Sequence, residues 1–126
     1  MGFMAIAGSE TGMTTKEITI GTDYAAVPGG RFIKHGDFSG EHFRKSVLAP
    51  ALNEVDRVIV YLDETSGYAG SFLEEAFGGL IREEKFSPPE LARKLDVRVR
   101  SSKYEIYRRM VQQYLSDAAK AASHAA

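Results

Sequence analysis

The spacing of hydrophobic residues changes within residues 58–82, and the rest of the chain is organised around this stretch. Residues 58–62 (VIVYL) form a continuous apolar run, which is typical of a strand buried on both faces in a parallel sheet. After Gly70 the apolar residues recur every three or four positions, which predicts a helix with one buried face. Residues 63–71 lie between them as a flexible loop. Binding sites collect at such loops, at the carboxyl ends of strands in α/β sheets, so we expect the functional site here.

Further strands are predicted at residues 16–22 and 97–100, where polar and apolar residues alternate, and a short strand is predicted at residues 31–34. The strands at residues 16–22 and 31–34 are separated by a Pro-Gly-Gly turn signal and could form a hairpin. The later strands are connected through helices, and such crossovers imply mainly parallel pairing. The pattern therefore predicts an α/β fold, with a mixed, mostly parallel β-sheet of about four to five strands and helices packed on it.

Local capping signals place the other helices. Ser39 is predicted to cap a helix that Pro50 ends or kinks near Ala49. Ser87, followed by two prolines and Glu90, predicts the start of a short helix over residues 88–95. Ser101 or Ser102 is expected to cap a long final helix, and the tail from residue 119 to residue 126 is expected to fray.

The chain reads as one domain over residues 14–126, preceded by a flexible leader over residues 1–13 that is rich in small residues. The leader has no basic region ahead of its apolar residues, so it makes a poor signal peptide. No apolar run approaches the roughly 18 residues that a membrane-spanning helix needs. We therefore expect a cytoplasmic protein.

Composition removes several functional classes from consideration. The 126 residues carry a formal net charge of −1, which gives no electrostatic reason to expect nucleic acid or an anionic membrane as partner. The chain has no cysteine, which excludes disulfides, thiolate metal sites and cysteine nucleophiles. Hydrophobic residues make up 44% and charged residues 26%, which is ordinary for a globular domain.

Three segments resemble a known family. They are residues 30–32 (GRF), residues 39–44 (SGEHFR) and residues 67–80 (GYAGSFLEEAFGGL). The arrangement is similar to the STAS domain of sulfate transporters and anti-sigma-factor antagonists. It resembles most closely the prokaryotic STAS-like proteins grouped as a domain of unknown function. The resemblance extends over about residues 17–115 and implies the STAS fold.

The resemblance also implies a regulatory role. In STAS antagonists a buried strand is followed by a loop reading Asp-Ser-Ser-Gly-Leu, and a partner kinase phosphorylates the second serine. That loop falls on residues 69–73, where Ser71 takes the place of the phosphorylated serine and Ala69 and Phe72 replace the Asp and the Gly. The resemblance implies a partner ATPase or kinase of the histidine-kinase-like fold, which would bring its own ATP and magnesium. The alternative from the residues alone is that Ser71 is simply a helix N-cap.

The leading hypothesis is a non-enzymatic, protein-binding module that requires no cofactor and no metal. The side chains expected to be exposed and to contact the partner are Asp37, Ser39, Ser66, Tyr68, Ser71, Glu74 and Glu75. The alternative is a sensor of a small molecule or nucleotide, because some STAS domains bind such ligands near this loop. An enzyme is not expected, since no nucleophile–base set can be assembled.

Two clusters of charged residues could serve functions other than protein binding. The carboxylates of Asp63, Glu64, Glu74 and Glu75 could form a divalent-metal site, but their spacing fixes no coordination geometry, so a solvated acidic rim is preferred. A basic concentration near the C-terminus could bind nucleic acid, but no recognition motif accompanies it and a charged exterior is expected instead. It consists of Arg98, Arg100, Lys103, Arg108 and Arg109.

Overall fold

A computed structural model describes residues 13–125 and contains a three-stranded parallel sheet. The strands are β1 (Thr15–Thr19), β2 (Arg57–Tyr61) and β3 (Leu95–Arg98), and β2 lies between the other two. Ile18 of β1 and Val97 of β3 both pair with Val60 of β2. The apolar run therefore forms the central strand with parallel neighbours on both sides, as predicted.

The expected count of four to five strands is wrong for the described residues, which contain three. Residues 31–34 do not form a strand; they lead into a 3-10 turn, Ile33–His35. The backbone N–H groups of Gly40 and Glu41 donate to the carbonyl oxygens of Gly30 and Arg31. This segment is therefore hydrogen-bonded to the start of a helix and does not pair with a strand. β1 is also shorter than predicted, because a single helical turn, Ile20–Asp23, follows it.

The first long helix, residues 40–54, has a π-helical turn at its centre. It is α-helical over Gly40–Phe43, π-helical over Arg44–Leu48 and α-helical again over Ala49–Glu54. Ser39 caps it as predicted, and its Oγ accepts a hydrogen bond of 3.0 Å from the backbone N–H of His42. Pro50 was expected to end or kink the helix, with Ala51 and Leu52 continuing as another turn, and the structure excludes an end because the helix continues to Glu54. The π-helical turn ahead of it widens the hydrogen-bond ladder where proline has no N–H to donate.

The second long helix, residues 70–82, is built in the same way. Its α-helical parts, Gly70–Leu73 and Gly79–Arg82, flank a π-helical turn, Glu74–Gly78. Ala69 occupies the N-cap position with extended backbone, and its side chain makes no capping bond. Ser71 is therefore the second residue inside the helix, which corrects its interpretation as the N-cap.

Two further helices complete the chain. The helix Pro88–Lys94 begins as predicted, since Ser87 Oγ accepts a hydrogen bond from the N–H of Glu90. The C-terminal helix, Glu105–Ala125, follows a 3-10 turn, Ser102–Tyr104. It is helical beyond residue 119, where fraying was expected, because Ala118 and Ala119 pack against the core.

The core lies between β2 and the two long helices. Its fully buried side chains include Phe43, Leu48, Leu52, Val58, Val60, Phe72, Phe77 and Leu80. None of the helices within residues 13–125 is long and apolar enough to cross a membrane. The predicted leader falls on residues 1–13, of which residues 1–12 lie outside the described part of the chain.

Candidate functional site

The loop that follows β2 begins with a buried carboxylate that joins all three strands. Asp63 is 1% exposed, and its carboxylate accepts hydrogen bonds of 2.9 Å and 2.8 Å from the backbone N–H groups of Arg100 and Ser101. Its carbonyl oxygen accepts a third bond, of 3.1 Å, from the N–H of Gly21. These partners follow β3 and β1, respectively. Asp63 therefore holds the carboxyl ends of the sheet together and is not free to serve as a metal ligand.

The middle of the loop is also fixed by hydrogen bonds. The N–H of Ser66 donates to the carbonyl oxygen of Ala26 over 2.8 Å, which ties the loop to the segment before residue 30. The hydroxyl of Tyr104 donates to the carbonyl oxygen of Thr65 over 2.8 Å. The hydroxyl of Tyr68 donates to the carbonyl oxygen of Leu62 over 2.7 Å, and burial raises the pKa of Tyr68. Tyr68 thus supports the loop from inside.

A buried arginine connects the two long helices. Arg44 is 1% exposed, and its Nη1 lies 2.7 Å from both Glu75 Oε2 and the Glu75 carbonyl oxygen. Its Nε lies 3.0 Å from Glu84 Oε2. Removing a charge from water is costly unless it is paired and hydrogen-bonded. Among residues 13–125 the hydrogen bonds of the Arg44 guanidinium all go to oxygens of these two glutamates, so the pairing compensates for its burial.

Arg31 and Arg82 extend this ion pair towards the surface. Arg31 Nη1 lies 2.6 Å from Glu74 Oε1 and 3.1 Å from Glu75 Oε1, and Arg82 contacts the same two carboxylates. Burial alone would raise the pKa of Glu74, but the hydrogen bonds from Arg82 and Arg31 hold it below its ordinary value. The hydrogen bond to Glu74 in turn raises the pKa of Arg31. These carboxylates are therefore bound by arginines and do not form a solvated acidic rim.

Two glycines allow the helices to approach this closely. A Cβ on Gly40 would lie 2.3 Å from the carbonyl oxygen of Phe72, and a Cβ on Gly79 would lie 2.2 Å from Arg44 Nη1. Residues 39–44 and residues 67–80, two of the segments that carry the family resemblance, thus meet in the interior of the protein. Much of the sequence resemblance reflects this packing between helices.

The structure separates the seven proposed contact residues into three groups: exposed, partly buried and buried. Asp37 and Ser66 are exposed, whereas Tyr68, Ser71 and Glu74 are partly buried. Ser39 is 0% exposed and Glu75 is 4% exposed, which corrects the expectation that both side chains face solvent. The side chain of Ser39 is occupied in capping the first long helix, and that of Glu75 in pairing with Arg44.

Sequence reasoning missed an exposed apolar surface beside the loop. Within the described residues, three of the five large exposed hydrophobic side chains lie in one segment: Val27 (69% exposed), Ile33 (48%) and Phe38 (48%). Ile33 and Phe38 line a cavity of about 350 Å³ with Gly36, Asp37 and His42. We define Val27, Ile33 and Phe38 as the docking surface. Of these three residues only Ile33 had been assigned to a strand, whereas Val27 lies at the predicted turn and Phe38 just before the predicted helix cap Ser39.

The backbone beneath the docking surface is held in an unusual conformation. Phe38 has a φ of 57°, which a residue with a side chain seldom adopts. Its ring meets the ring of Tyr24 edge to face, with centroids 5.7 Å apart. The Tyr24 hydroxyl lies 2.7 Å from His42 Nδ1, and burial raises the pKa of Tyr24 to about 12. These contacts fix the position of Phe38 even though half of its surface is exposed.

A smaller cavity lies beside Ser66. It has a volume of about 170 Å³ and is lined by Thr65, Ser66, Gly67, Lys103, Tyr104 and Tyr107. Within residues 13–125 no group of three or more His, Asp or Glu side chains is arranged to hold a metal ion.

Most members of the C-terminal basic concentration have partners. Arg98 pairs with Asp96, and Arg108 and Arg109 pair with Glu105. The guanidinium of Arg100 lies 3.6 Å from the centroid of the Tyr61 ring. These pairings favour the expected charged exterior over a continuous cationic surface that could bind nucleic acid.

Comparison with known proteins identifies one family. Residues 39–98 match the family model described as a STAS-like domain of unknown function (DUF4325). The matched region begins at the capping residue Ser39 and ends at the last residue of β3. It includes both long helices, the loop between β2 and the second helix, and the Arg44–Glu75 ion pair. No curated protein and no solved structure matches the chain.

Proposed function

Because this chain contains a STAS-like domain, we propose that it is a non-enzymatic regulatory module that binds another protein through the docking surface. The partner is an ATPase or kinase of the histidine-kinase-like fold, by analogy with the STAS antagonists. Ser66 and Asp37 border the contact, since both are exposed and flank the docking surface in the fold. In this proposal Ser39 and Glu75 support the surface from the interior and do not touch the partner.

The exposure of Val27, Ile33 and Phe38 is the observation that carries the proposal. Large apolar side chains that cluster on a surface mark interaction sites, whereas single ones are normal. The cavity beside Phe38 offers a concave site for a side chain of the partner. Aromatic residues in such positions often contribute most of the binding energy of an interface.

The docking surface is also held in place before any partner arrives. The hydrogen bond from the Ser66 N–H to the Ala26 carbonyl oxygen fixes one end of the segment that carries the docking surface. Arg31, bound to Glu74 and Glu75, fixes the middle. The N–H of Ile33 donates to Glu41 Oε1 over 2.9 Å. A preorganised surface loses less conformational entropy on binding, which favours a contact of useful affinity.

Ser71 could control this surface through Arg31. Ser71 precedes Glu74 and Glu75 by three and four positions, so the three side chains share one side of the helix. A phosphate on Ser71 would repel these carboxylates and compete with them for Arg31. Loss of the Arg31 contact would release the segment that carries the docking surface. We therefore include phosphorylation of Ser71 in the proposal, as the step that lowers partner affinity.

Photo-crosslinking tests the proposal directly. A photoreactive phenylalanine analogue replaces Phe38 in one sample and the exposed Ile106 of the C-terminal helix in a matched control. We expect position 38 to capture a protein with a histidine-kinase-like ATP-binding domain and position 106 to capture it much less. Equal capture at the two positions, or a captured protein without such a domain, would contradict the proposal.

A further inference from the structure

The cavity lined by Thr65, Ser66, Gly67, Lys103, Tyr104 and Tyr107 has a chemistry distinct from that of the docking surface. Lys103 is exposed, and its Nζ lies 5.2 Å from the centroid of the Tyr104 ring. This contact holds the ammonium group beside the cavity. The cavity therefore combines a cation, two phenolic side chains and the polar residues of the loop.

The polar groups that face this cavity are open to a ligand. Among residues 13–125 no carboxylate lies within ion-pair distance of Lys103 Nζ. Glu105 is bound to Arg108, and Asp63 to backbone N–H groups. The hydroxyls of Ser66 and Tyr107 have no hydrogen-bond partner within the same residues. A cation and two hydroxyl donors thus converge without an internal acceptor.

Gly67 keeps the cavity accessible. Its φ of 121° lies in the region that favours glycine, and a Cβ there would lie 2.9 Å from the Tyr107 hydroxyl. The absence of a side chain leaves that hydroxyl facing the loop. Any larger residue at this position would cover it.

We propose that this cavity binds the phosphate group of a small phosphate or phosphate monoester. Lys103 supplies the charge, and the hydroxyls of Ser66 and Tyr107 donate hydrogen bonds to the phosphate oxygens. The volume of about 170 Å³ is below the roughly 300 Å³ at which pockets for whole drug-sized ligands begin. The cavity therefore holds the phosphate group, and the remainder of a larger ligand lies outside it.

A bound phosphate would act on the same residue that anchors the docking surface. The hydroxyl of Ser66 contacts the ligand, while its N–H bonds to Ala26. Ligand binding would stabilise this arrangement and couple the cavity to the docking surface. The phosphate site itself does not depend on the protein partner, so each proposal can fail while the other holds.

Titration of the isotope-labelled chain, followed by the NMR shifts of its backbone amides, tests the site. The probes are inorganic phosphate and AMP, with acetate and sodium chloride as controls at matched ionic strength. We expect saturable shifts for residues 65–67 and 103–107 with phosphate or AMP. A response to phosphate alone identifies the free ion as the ligand, whereas a stronger response to AMP identifies a monoester. Equal shifts with sodium chloride, or shifts confined to other residues, would overturn the proposal.

Variants then assign the binding to the named groups. Lys103→Ala should weaken phosphate binding about tenfold, as loss of a charge-assisted hydrogen bond does. Tyr107→Phe should weaken it less, because only one hydroxyl is removed. Lys120→Ala removes the same charge from an exposed position on the C-terminal helix and should leave binding unchanged. Equal weakening by Lys103→Ala and Lys120→Ala would show that phosphate binding depends only on the net charge of the protein. This result would contradict the proposed site.

Discussion

Arg44 and Glu75 form a buried ion pair between the two long helices, with Arg44 Nη1 2.7 Å from Glu75 Oε2. Each residue lies in a π-helical turn of its own helix. Such turns are rare and are frequently found at functional sites. The pair joins the segment that carries Ser39 to the segment that carries Ser71, and Arg31 connects it to the docking surface.

We first predict that Glu75→Ala destabilises the protein by about 3–5 kcal/mol, because it leaves the guanidinium of Arg44 buried with only part of its pairing. Glu83→Ala is the matched control, since the side chain of Glu83 is 55% exposed and should change stability by less than about 0.5 kcal/mol. Chemical denaturation of both variants measures the difference. Similar midpoints would show that the buried pair contributes little.

A second prediction concerns the close approach of the helices. Gly40→Ala should destabilise the protein by about 1–3 kcal/mol, since the new methyl group meets a backbone oxygen that cannot rotate away. The improved helix propensity of alanine, about 1 kcal/mol, only partly offsets this. A Cβ on Gly30 would meet nothing within 4 Å, so Gly30→Ala serves as control. Thermal unfolding of the two variants should differ, and a neutral Gly40→Ala would contradict the packing.

The sequence allowed the central architecture to be predicted. The unbroken apolar run over residues 58–62 identified β2, and the change of period after Gly70 identified the second long helix. Ser39 and Ser87 were recognised as caps because a side-chain oxygen at the start of a helix satisfies a free N–H group. These features depend on local chemistry, which a single sequence contains.

The features that were missed depend on tertiary contacts. Arg44 was not recognised as buried because charged residues are usually solvated, although its spacing of four from Leu48 and eight from Leu52 places it on the core side of the helix. Residues 31–34 were assigned to a short strand after the Pro-Gly-Gly turn signal. The hydrogen bonds that Gly30 and Arg31 accept from the start of the first long helix are tertiary contacts, which this local signal does not contain. Ser71 lies two residues after the N-cap position, which Ala69 occupies.

The ion pairs of Glu74 predict a specific dependence of stability on pH. The pKa of Glu74 in the folded protein is below the usual value of 4.5, so its contribution is complete above about pH 4.5 and is lost as the pH falls through the folded pKa. Glu74→Gln should therefore reduce the free energy of unfolding by about 1 kcal/mol at pH 7. Denaturation curves at decreasing pH should show this difference shrinking. A difference that is constant from pH 7 to pH 3 would argue against ionised Glu74 as its source.

A fourth prediction separates a regulatory role of Ser71 from a structural one. Because Ser71 is not the N-cap, Ser71→Ala should change stability by less than about 0.5 kcal/mol and should leave partner binding intact. Ser71→Asp places a negative charge beside Glu74 and Glu75 and should weaken partner binding while circular dichroism shows a folded domain. Equal partner recovery by the wild type and both variants would remove Ser71 from the mechanism.

Two surface variants test the docking surface most directly. The measurement is their affinity for the partner that photo-crosslinking captures at position 38. Phe38→Ser removes a half-exposed aromatic side chain from the docking surface, and Ile106→Ser removes a comparably exposed apolar side chain from the C-terminal helix. Isothermal titration calorimetry should show about thirtyfold weaker binding for Phe38→Ser, as for a central interface residue, and less than about twofold for Ile106→Ser. Unchanged affinity of a folded Phe38→Ser variant would contradict the assignment of this surface.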